Sequence, residues 1–122
     1  MEKVDKKILI VEDDNIARDV LDLTLRKYFK EIITADNGQV GLELSKQFKP
    51  DLIIADLAMP VLDGFRMLKE LQKNLKDTPV IIVTAYREEA MGIEGYTVLY
   101  KPVDRSELLG EICRLLEVEL IA

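Results

Sequence analysis

The sequence predicts an α/β domain built on an open, five-stranded parallel sheet with helices on both faces. Five short apolar runs lack polar alternation, which is typical of strands that are buried on both faces of a sheet. Segments with helical spacing of apolar residues lie between these runs, and this alternation favours a parallel sheet. A chain of 122 residues has the length of one domain, and five strands are too few for an eight-stranded barrel.

The five strands are predicted from the apolar runs themselves. The first covers residues 8–11, and the second is a weaker run around 32–33 that ends at Ala35. The other three are predicted over residues 52–55, 80–83 and 97–100.

The first helix is predicted from two sets of apolar residues that recur at helical spacing. One set is Ile16, Val20 and Leu23, and the other is Ala17, Leu21 and Leu25. Periodicity alone does not say which set faces the sheet.

The second helix is predicted between Asn37-Gly38 and Pro50, and the third is entered through Asp63-Gly64. The last helix has the clearest signals, because Asp104 is followed three residues later by Glu107 in a pattern similar to a capping box. Its apolar stripe consists of Leu108, Leu109, Ile112, Leu115 and Leu116.

A further helix is predicted in the short interval between the fourth and fifth strands. Only residues 85–95 are available for this crossover, which is close to the minimum of about 10–12 residues. Gly92 and Gly95 also lower its helical propensity. We therefore expect a shortened or distorted fourth helix.

Composition excludes several functions. The chain has no histidine, so it contains no Ser-His-Asp triad, no Cys-His dyad, no histidine metal site and no phosphohistidine of its own. The single Cys113 excludes an internal disulfide and a cysteine zinc site. A net charge of −6 argues against direct binding to nucleic acid. No apolar stretch has the length of a membrane span or signal peptide, so we expect a cytoplasmic protein with no membrane partner.

Polar residues collect at the carboxyl ends of the predicted strands. They are Glu12, Asp13, Asp56, Thr84 and Lys101. The carboxyl ends of parallel strands share one edge of the sheet, where ligands bind in open α/β folds. Singly, each residue is explained as an ordinary loop, helix-cap or strand-end residue. Together they predict a site at this edge.

The residue types at this edge predict a magnesium-dependent phosphoryl chemistry. Gathered carboxylates repel one another, and a hard divalent cation with oxygen ligands, such as Mg²⁺, relieves that repulsion. Lys101 offers a cation and Thr84 a hydroxyl to a phosphoryl group. Asp56, alone at the end of a central strand, is the candidate nucleophile for an aspartyl phosphate.

Four segments of the chain resemble the receiver domain of two-component response regulators. They are ILIVEDD at 8–14, DLIIADLAMPVLDG at 51–64, PVIIVTA at 79–85 and Lys101-Pro102. The resemblance implies a (βα)5 flavodoxin-like fold with strand order 2-1-3-4-5. It also implies one receiver domain over residues 1–122, with its core at about 7–117.

The resemblance implies a role for each acidic residue. Asp56 would accept a phosphoryl group from the phosphohistidine of a sensor histidine kinase or histidine phosphotransfer protein. Asp13, Asp56 and the backbone carbonyl of Ala58 would bind Mg²⁺ directly, and Glu12 would act through water.

The resemblance also implies how the signal leaves the site. Thr84 and Lys101 would hold the phosphoryl oxygens, and the Lys101-Pro102 bond would be cis. The surface of the fourth helix, the fifth strand and the last helix would then switch and signal to an effector protein or domain. Pairing of two copies of this domain as a homodimer is a further possibility that the sequence leaves open.

Three features depart from the family pattern. Val98 stands where the family usually carries an aromatic residue, and Tyr96 or Tyr100 on the same strand face is the candidate replacement. The interval from Thr84 to Lys101 is short, so we expect signalling or dimerisation to differ from that of a typical receiver. Ala58 and Tyr86 occupy positions that tune hydrolysis, which predicts a long-lived phosphorylated state.

Three other functions fit parts of the sequence. A small Mg²⁺-dependent phosphohydrolase with an aspartyl nucleophile would need a second acid and a cap domain, for which the chain has little room. A flavin-binding module would need a phosphate loop where Glu12-Asp13-Asp14 stand. A degenerate receiver that only binds partners would not need the complete set of site residues.

Overall fold

The strands form where the apolar runs predict them. In the computed structural model, which describes residues 2–57, 64–85, 87 and 95–120, these strands form one parallel sheet. They are β1 (Val4–Val11), β2 (Phe29–Ala35), β3 (Leu52–Asp56), β4 (Val80–Thr84) and β5 (Thr97–Tyr100). Their order is β2-β1-β3-β4-β5. The predicted fold class and strand order are confirmed.

Four helices lie in the described part of the chain. They are α1 (Asn15–Arg26), α2 (Gly38–Phe48), α3 (Gly64–Asn74) and α4 (Arg105–Leu116). Side-chain oxygens of Asp14, Asn37 and Asp104 cap α1, α2 and α4 by accepting a backbone N–H three residues later. The shortened helix predicted between residues 85 and 95 falls on a segment that, apart from residues 85, 87 and 95, lies outside the described residues.

Side chains of each strand alternate between two apolar clusters, one on each face of the sheet. From β1, Leu9 and Val11 join one cluster, while Ile8 and Ile10 join the other. The first cluster packs against α2 and α3, and the second packs against α1 and α4. Residues of the sheet are therefore buried on both faces, as the uninterrupted apolar runs predicted.

The order of the strands places β1 and β3 side by side at the centre. The chain leaves β1 toward β2 on one side and returns to β3 on the other, so the strand order reverses between β1 and β3. Val11 lies opposite Ala55 in this pair, and Asp56 is the next residue. The fold therefore positions the ends of β1 and β3 where ligands bind in open α/β sheets.

A glycine lets α2 pack closely on this end of β1. A Cβ atom at Gly41 would lie 2.7 Å from Cγ2 of Val11, which is closer than two carbon atoms can approach. The close contact places the beginning of α2 beside the loop that follows β1.

Only one of the two apolar sets on α1 faces the sheet. Leu21 and Leu25 are buried in the core, whereas Ile16, Val20 and Leu23 are 75%, 57% and 65% exposed. Within the described part of the chain, these three are the exposed large apolar side chains. Helix α1 therefore presents an apolar stripe to solvent.

No helix among the described residues combines the length and the hydropathy that a membrane span requires.

Candidate functional site

The carboxyl edge of the sheet carries all of the predicted site residues that the structure describes. Glu12 and Asp13 follow β1, Asp56 ends β3, Thr84 ends β4 and Lys101 follows β5. The register places the last residues of these strands next to one another, because Asp56 lies opposite Val83 and Thr84 lies opposite Tyr100. Ala58, the predicted source of a backbone ligand, lies outside the described residues.

Three carboxylates converge at the centre of this edge. Glu12, Asp13 and Asp56 each offer an oxygen, and the three oxygens lie within 4.8 Å of one another. Two octahedral ligands of Mg²⁺ are about 3 Å apart when adjacent and about 4 Å apart when opposite. The spread of the three oxygens is close to the separation of opposite ligands, and the oxygen-only donor set matches the chemistry of Mg²⁺.

The ammonium group of Lys101 crosses the sheet edge and contacts two of these carboxylates. Its Nζ lies 2.6 Å from Oε1 of Glu12 and 3.2 Å from Oδ2 of Asp56. The two carboxylates are almost completely buried, and Lys101 itself is mostly covered. Because buried carboxylates are costly without a compensating charge, Lys101 stabilises the cluster. It reaches these acids from β5, which is two strands away from β3.

Two groups at this edge, Asp13 and Lys101, have raised pKa values. Burial, together with the hydrogen bond and negative charge of Glu12, raises the pKa of Asp13 above its usual range. Burial acts to lower the pKa of Lys101, but the hydrogen bond to Glu12 and the charges of Asp56 and Glu12 outweigh it and raise that pKa. Because the folded-state pKa of Asp13 is raised, its ionisation destabilises the fold above that pKa. This cost in folding free energy is relieved as the pH falls toward the pKa that Asp13 has in the unfolded chain.

Thr84 is completely buried at the end of β4. Its backbone carbonyl accepts a hydrogen bond of 2.8 Å from the backbone N–H of Lys101, so the two residues are joined through the ends of β4 and β5. The peptide bond between Lys101 and Pro102 is cis, as the resemblance implied.

Sequence reasoning missed a guanidinium at the edge of the acidic cluster. Arg18, one turn into α1, donates from Nη1 to the backbone carbonyl of Glu12 at 2.9 Å. A signal for it was present, because Arg18 lies four residues after the helix cap Asp14 and therefore on the same side of the helix.

Sequence reasoning also missed an apolar groove beside the site. The groove has a volume of about 290 Å³ and lies between α1 and the start of α4. Val20, Leu21 and Leu108 contribute to its walls, and Glu12 and Lys101 line it where it meets the carboxyl edge. The groove therefore connects the exposed stripe of α1 with the acidic cluster.

Tyr96, just before β5, and Tyr100, at its end, lie on one face, as the strand alternation predicted. Tyr96, Val98 and Tyr100 all pack against the apolar cluster on the α2–α3 side of the sheet. The hydroxyl of Tyr96 accepts a hydrogen bond of 2.7 Å from Gln72 in α3. The guanidinium of Arg87 lies 4.3 Å from the centre of the Tyr100 ring, within the range of a cation–π contact.

The chain is similar to many known proteins. Residues 8–113 match the family described as "Response regulator receiver domain". The chain is 34% identical to the regulatory protein AtoC of Escherichia coli over 93% of its own length and 26% of that protein's length. It is 36% identical to the protein PilH of Pseudomonas aeruginosa over 87% of this chain and 93% of PilH.

Solved structures agree with these matches. The chemotaxis protein CheY4 of Vibrio cholerae superposes with a TM-score of 0.81 and 29% identity, covering 93% of this chain and all of that one. The lengths of the relatives differ, since this chain spans between about a quarter and a half of several curated regulators but nearly all of PilH.

Proposed function

Because the chain belongs to the response regulator receiver domain family, we propose that Asp56 accepts a phosphoryl group from a phosphohistidine on a partner protein. Members of this family are signalling modules and not conventional enzymes. The observation that carries the proposal is the convergence of three carboxylates and one ammonium group at the switch point of the sheet. The chain lacks histidine, so the donor is a kinase or phosphotransfer domain elsewhere.

The transfer proposed here is a single displacement at phosphorus. A carboxylate oxygen of Asp56 attacks the phosphorus atom and forms a P–O bond, while the P–N bond breaks and its electron pair remains on the imidazole of the donor. Mg²⁺ held by Asp13 and Asp56, with Glu12 acting through water, would neutralise charge on the phosphoryl oxygens. We propose that the chain catalyses only this transfer and the later hydrolysis of its own phosphoryl group.

Lys101 and Thr84 are proposed to hold the new phosphoryl oxygens. The ammonium group of Lys101 already lies 3.2 Å from Asp56, and Thr84 is joined to Lys101 by a backbone hydrogen bond. A phosphoryl group adds charge and acceptor oxygens beside both residues, so their hydrogen bonds rearrange. The two residues would then move together.

Tyr100 is proposed to transmit this movement to the surface. It lies opposite Thr84 in the sheet, immediately before Lys101, and under the guanidinium of Arg87. Tyr100 is therefore our candidate to replace the aromatic residue that the family usually carries at the position of Val98. An effector protein or domain would recognise the face formed by β5 and α4. Formation of a homodimer by this domain stays a prediction.

The test of the proposed function is the intact mass of the protein after incubation with acetyl phosphate. We expect the mass of one phosphoryl group to be added in MgCl₂ and not in excess chelator. A protein that binds Mg²⁺ without gaining an adduct, under conditions that slow hydrolysis, would contradict the proposal. A protein that neither binds Mg²⁺ nor gains an adduct would act as an interaction module only.

The groove beside α1 is proposed to receive a helix of the phosphohistidine donor. A donor must bring its imidazole to Asp56, and the groove leads to Glu12 and Lys101 at the same edge. Its walls are mainly apolar, and Val20 in one wall is 57% exposed. An amphipathic helix that carries the phosphohistidine would bury this surface and align the reacting atoms.

We expect Val20→Asp to slow phosphoryl transfer from a phosphorylated histidine phosphotransfer protein by about tenfold or more, because the charge would be buried at the contact. Labelling by acetyl phosphate should be unchanged, since that donor needs no docking surface. Leu23→Asp is the matched control, because Leu23 is exposed on α1 to a similar extent but is not among the groove-lining residues. Equal rates for wild type and Val20→Asp with the protein donor would refute the docking proposal.

A further inference from the structure

Arg18 connects α1 to the loop that carries two of the three carboxylates. Its Nη1 donates a hydrogen bond of 2.9 Å to the backbone carbonyl of Glu12, and its Nη2 donates one of 2.5 Å to Oδ1 of Asn15. From this geometry we infer that Arg18 is a positioning residue, which fixes the backbone between Glu12 and Asp13 for Mg²⁺. The inference rests on the proposed function, because it concerns the same metal site.

The loop after β1 has a physical reason to need such an anchor. Glu12 and Asp13 lie beyond the last residue of the strand, so the parallel ladder no longer fixes their carbonyl groups. The backbone N–H of Glu12 still donates a hydrogen bond of 3.0 Å to the carbonyl of Ala35. The backbone N–H of Asp14 donates a longer hydrogen bond, of 3.3 Å, to Oε2 of Glu12. Repulsion among the carboxylates acts to open the loop. The guanidinium holds the Glu12 carbonyl against this repulsion.

The two simultaneous hydrogen bonds of this side chain require arginine. A planar guanidinium bonds the Glu12 carbonyl and the Asn15 side chain at the same time, and Asn15 is the first residue of α1. The side chain therefore ties the loop to the beginning of the helix. A lysine would place one compact charge near the same site without reproducing both bonds.

A purely electrostatic role would have the opposite effect on metal binding. A positive charge beside the acidic cluster repels Mg²⁺, so its removal would strengthen binding. A positioning role predicts that removal weakens binding, because the carboxylates then spend less time in the arrangement that the ion requires. The sign of the change distinguishes the two roles.

The test is calorimetric titration of MgCl₂ into wild type, Arg18→Ala and Arg18→Lys at constant ionic strength. We expect both variants to bind Mg²⁺ about tenfold more weakly, the usual effect of losing a group that orients metal ligands. The rate of labelling by acetyl phosphate should fall at low Mg²⁺ and recover at saturating Mg²⁺. Arg26→Ala is the control, since Arg26 lies on the same helix and, within the described part of the chain, forms its ion pair with Asp22 and not with the loop after β1.

Each outcome has one meaning. Affinity in Arg18→Ala equal to or tighter than in wild type would overturn the positioning role, and so would unchanged affinity in Arg18→Lys. If wild type itself does not bind Mg²⁺, the proposed function fails and not only this inference. Circular dichroism spectra and unfolding temperatures of the variants verify that a loss of affinity does not come from a loss of fold.

Discussion

Asp56→Asn is expected to abolish the phosphoryl adduct completely at any concentration of Mg²⁺. The amide that replaces the carboxylate has no negative charge and is a far weaker nucleophile toward phosphorus. The variant should still fold, because it loses one of three carboxylates that repel one another at the sheet edge. Intact mass after incubation with acetyl phosphate and MgCl₂ measures the adduct, and circular dichroism verifies the fold.

Asp36→Asn is the matched control for this prediction. Asp36 follows directly after β2, at the same edge of the sheet, but it is exposed and is not part of the acidic cluster. We expect this variant to gain the adduct as wild type does. If Asp56→Asn still gains one phosphoryl group at the wild-type rate, then the acceptor is another carboxylate and the assignment of Asp56 is wrong.

The sheet was predictable because its central strands are buried on both faces. The runs at 52–55 and 80–83 match β3 and β4 to within one residue. The prediction for β1 began at residue 8, whereas the strand begins at Val4. Its first half pairs through the backbone at the border of the sheet, where the N–H of Val4 donates to the carbonyl of Tyr28. Such pairing needs no apolar side chains, so hydrophobic periodicity did not detect it.

The orientation of α1 was not predictable from its sequence. Its two apolar sets have the same spacing, and either could cover a sheet. Leu21 and Leu25 face the core because the helix packs on β1 and β2, while Val20 borders the groove. The choice depends on the position of the helix on the sheet, which is a property of the tertiary fold.

The acidic cluster was predictable and its supporting contacts were not. Strand ends place Glu12, Asp56 and Lys101 at one edge, and this follows from topology alone. The bond from Arg18 to a backbone carbonyl and the stack of Arg87 on Tyr100 depend on the reach and rotamer of long side chains. The spacing of Arg18 after Asp14 indicates the side of α1 on which the guanidinium lies, but a sequence pattern does not give the partner atom of either contact.

Lys101→Met is expected to lower the free energy of unfolding by about 2 kcal/mol in a buffer with chelator. The change removes an ammonium group that lies within salt-bridge distance of Glu12 and Asp56, two carboxylates that are almost fully buried. Breaking a fully buried pair costs about 3–5 kcal/mol, and the smaller value here follows from the partial exposure of Lys101. Urea unfolding of wild type and the variant, with and without MgCl₂, measures the difference.

Mg²⁺ should restore much of the stability that Lys101→Met loses, because the ion supplies the positive charge that the ammonium group supplied. An ion that binds only the folded state stabilises it in proportion to the logarithm of its concentration above the dissociation constant. The increment should be larger in the variant than in wild type, where the ion competes with Lys101 for Glu12 and Asp56. Adding Glu12→Gln to Lys101→Met should recover stability without Mg²⁺, since one of the two buried charges that lost the ammonium group is gone. Equal stability of wild type and Lys101→Met in chelator would mean that water already compensates these carboxylates, and that Lys101 acts on the phosphoryl group alone.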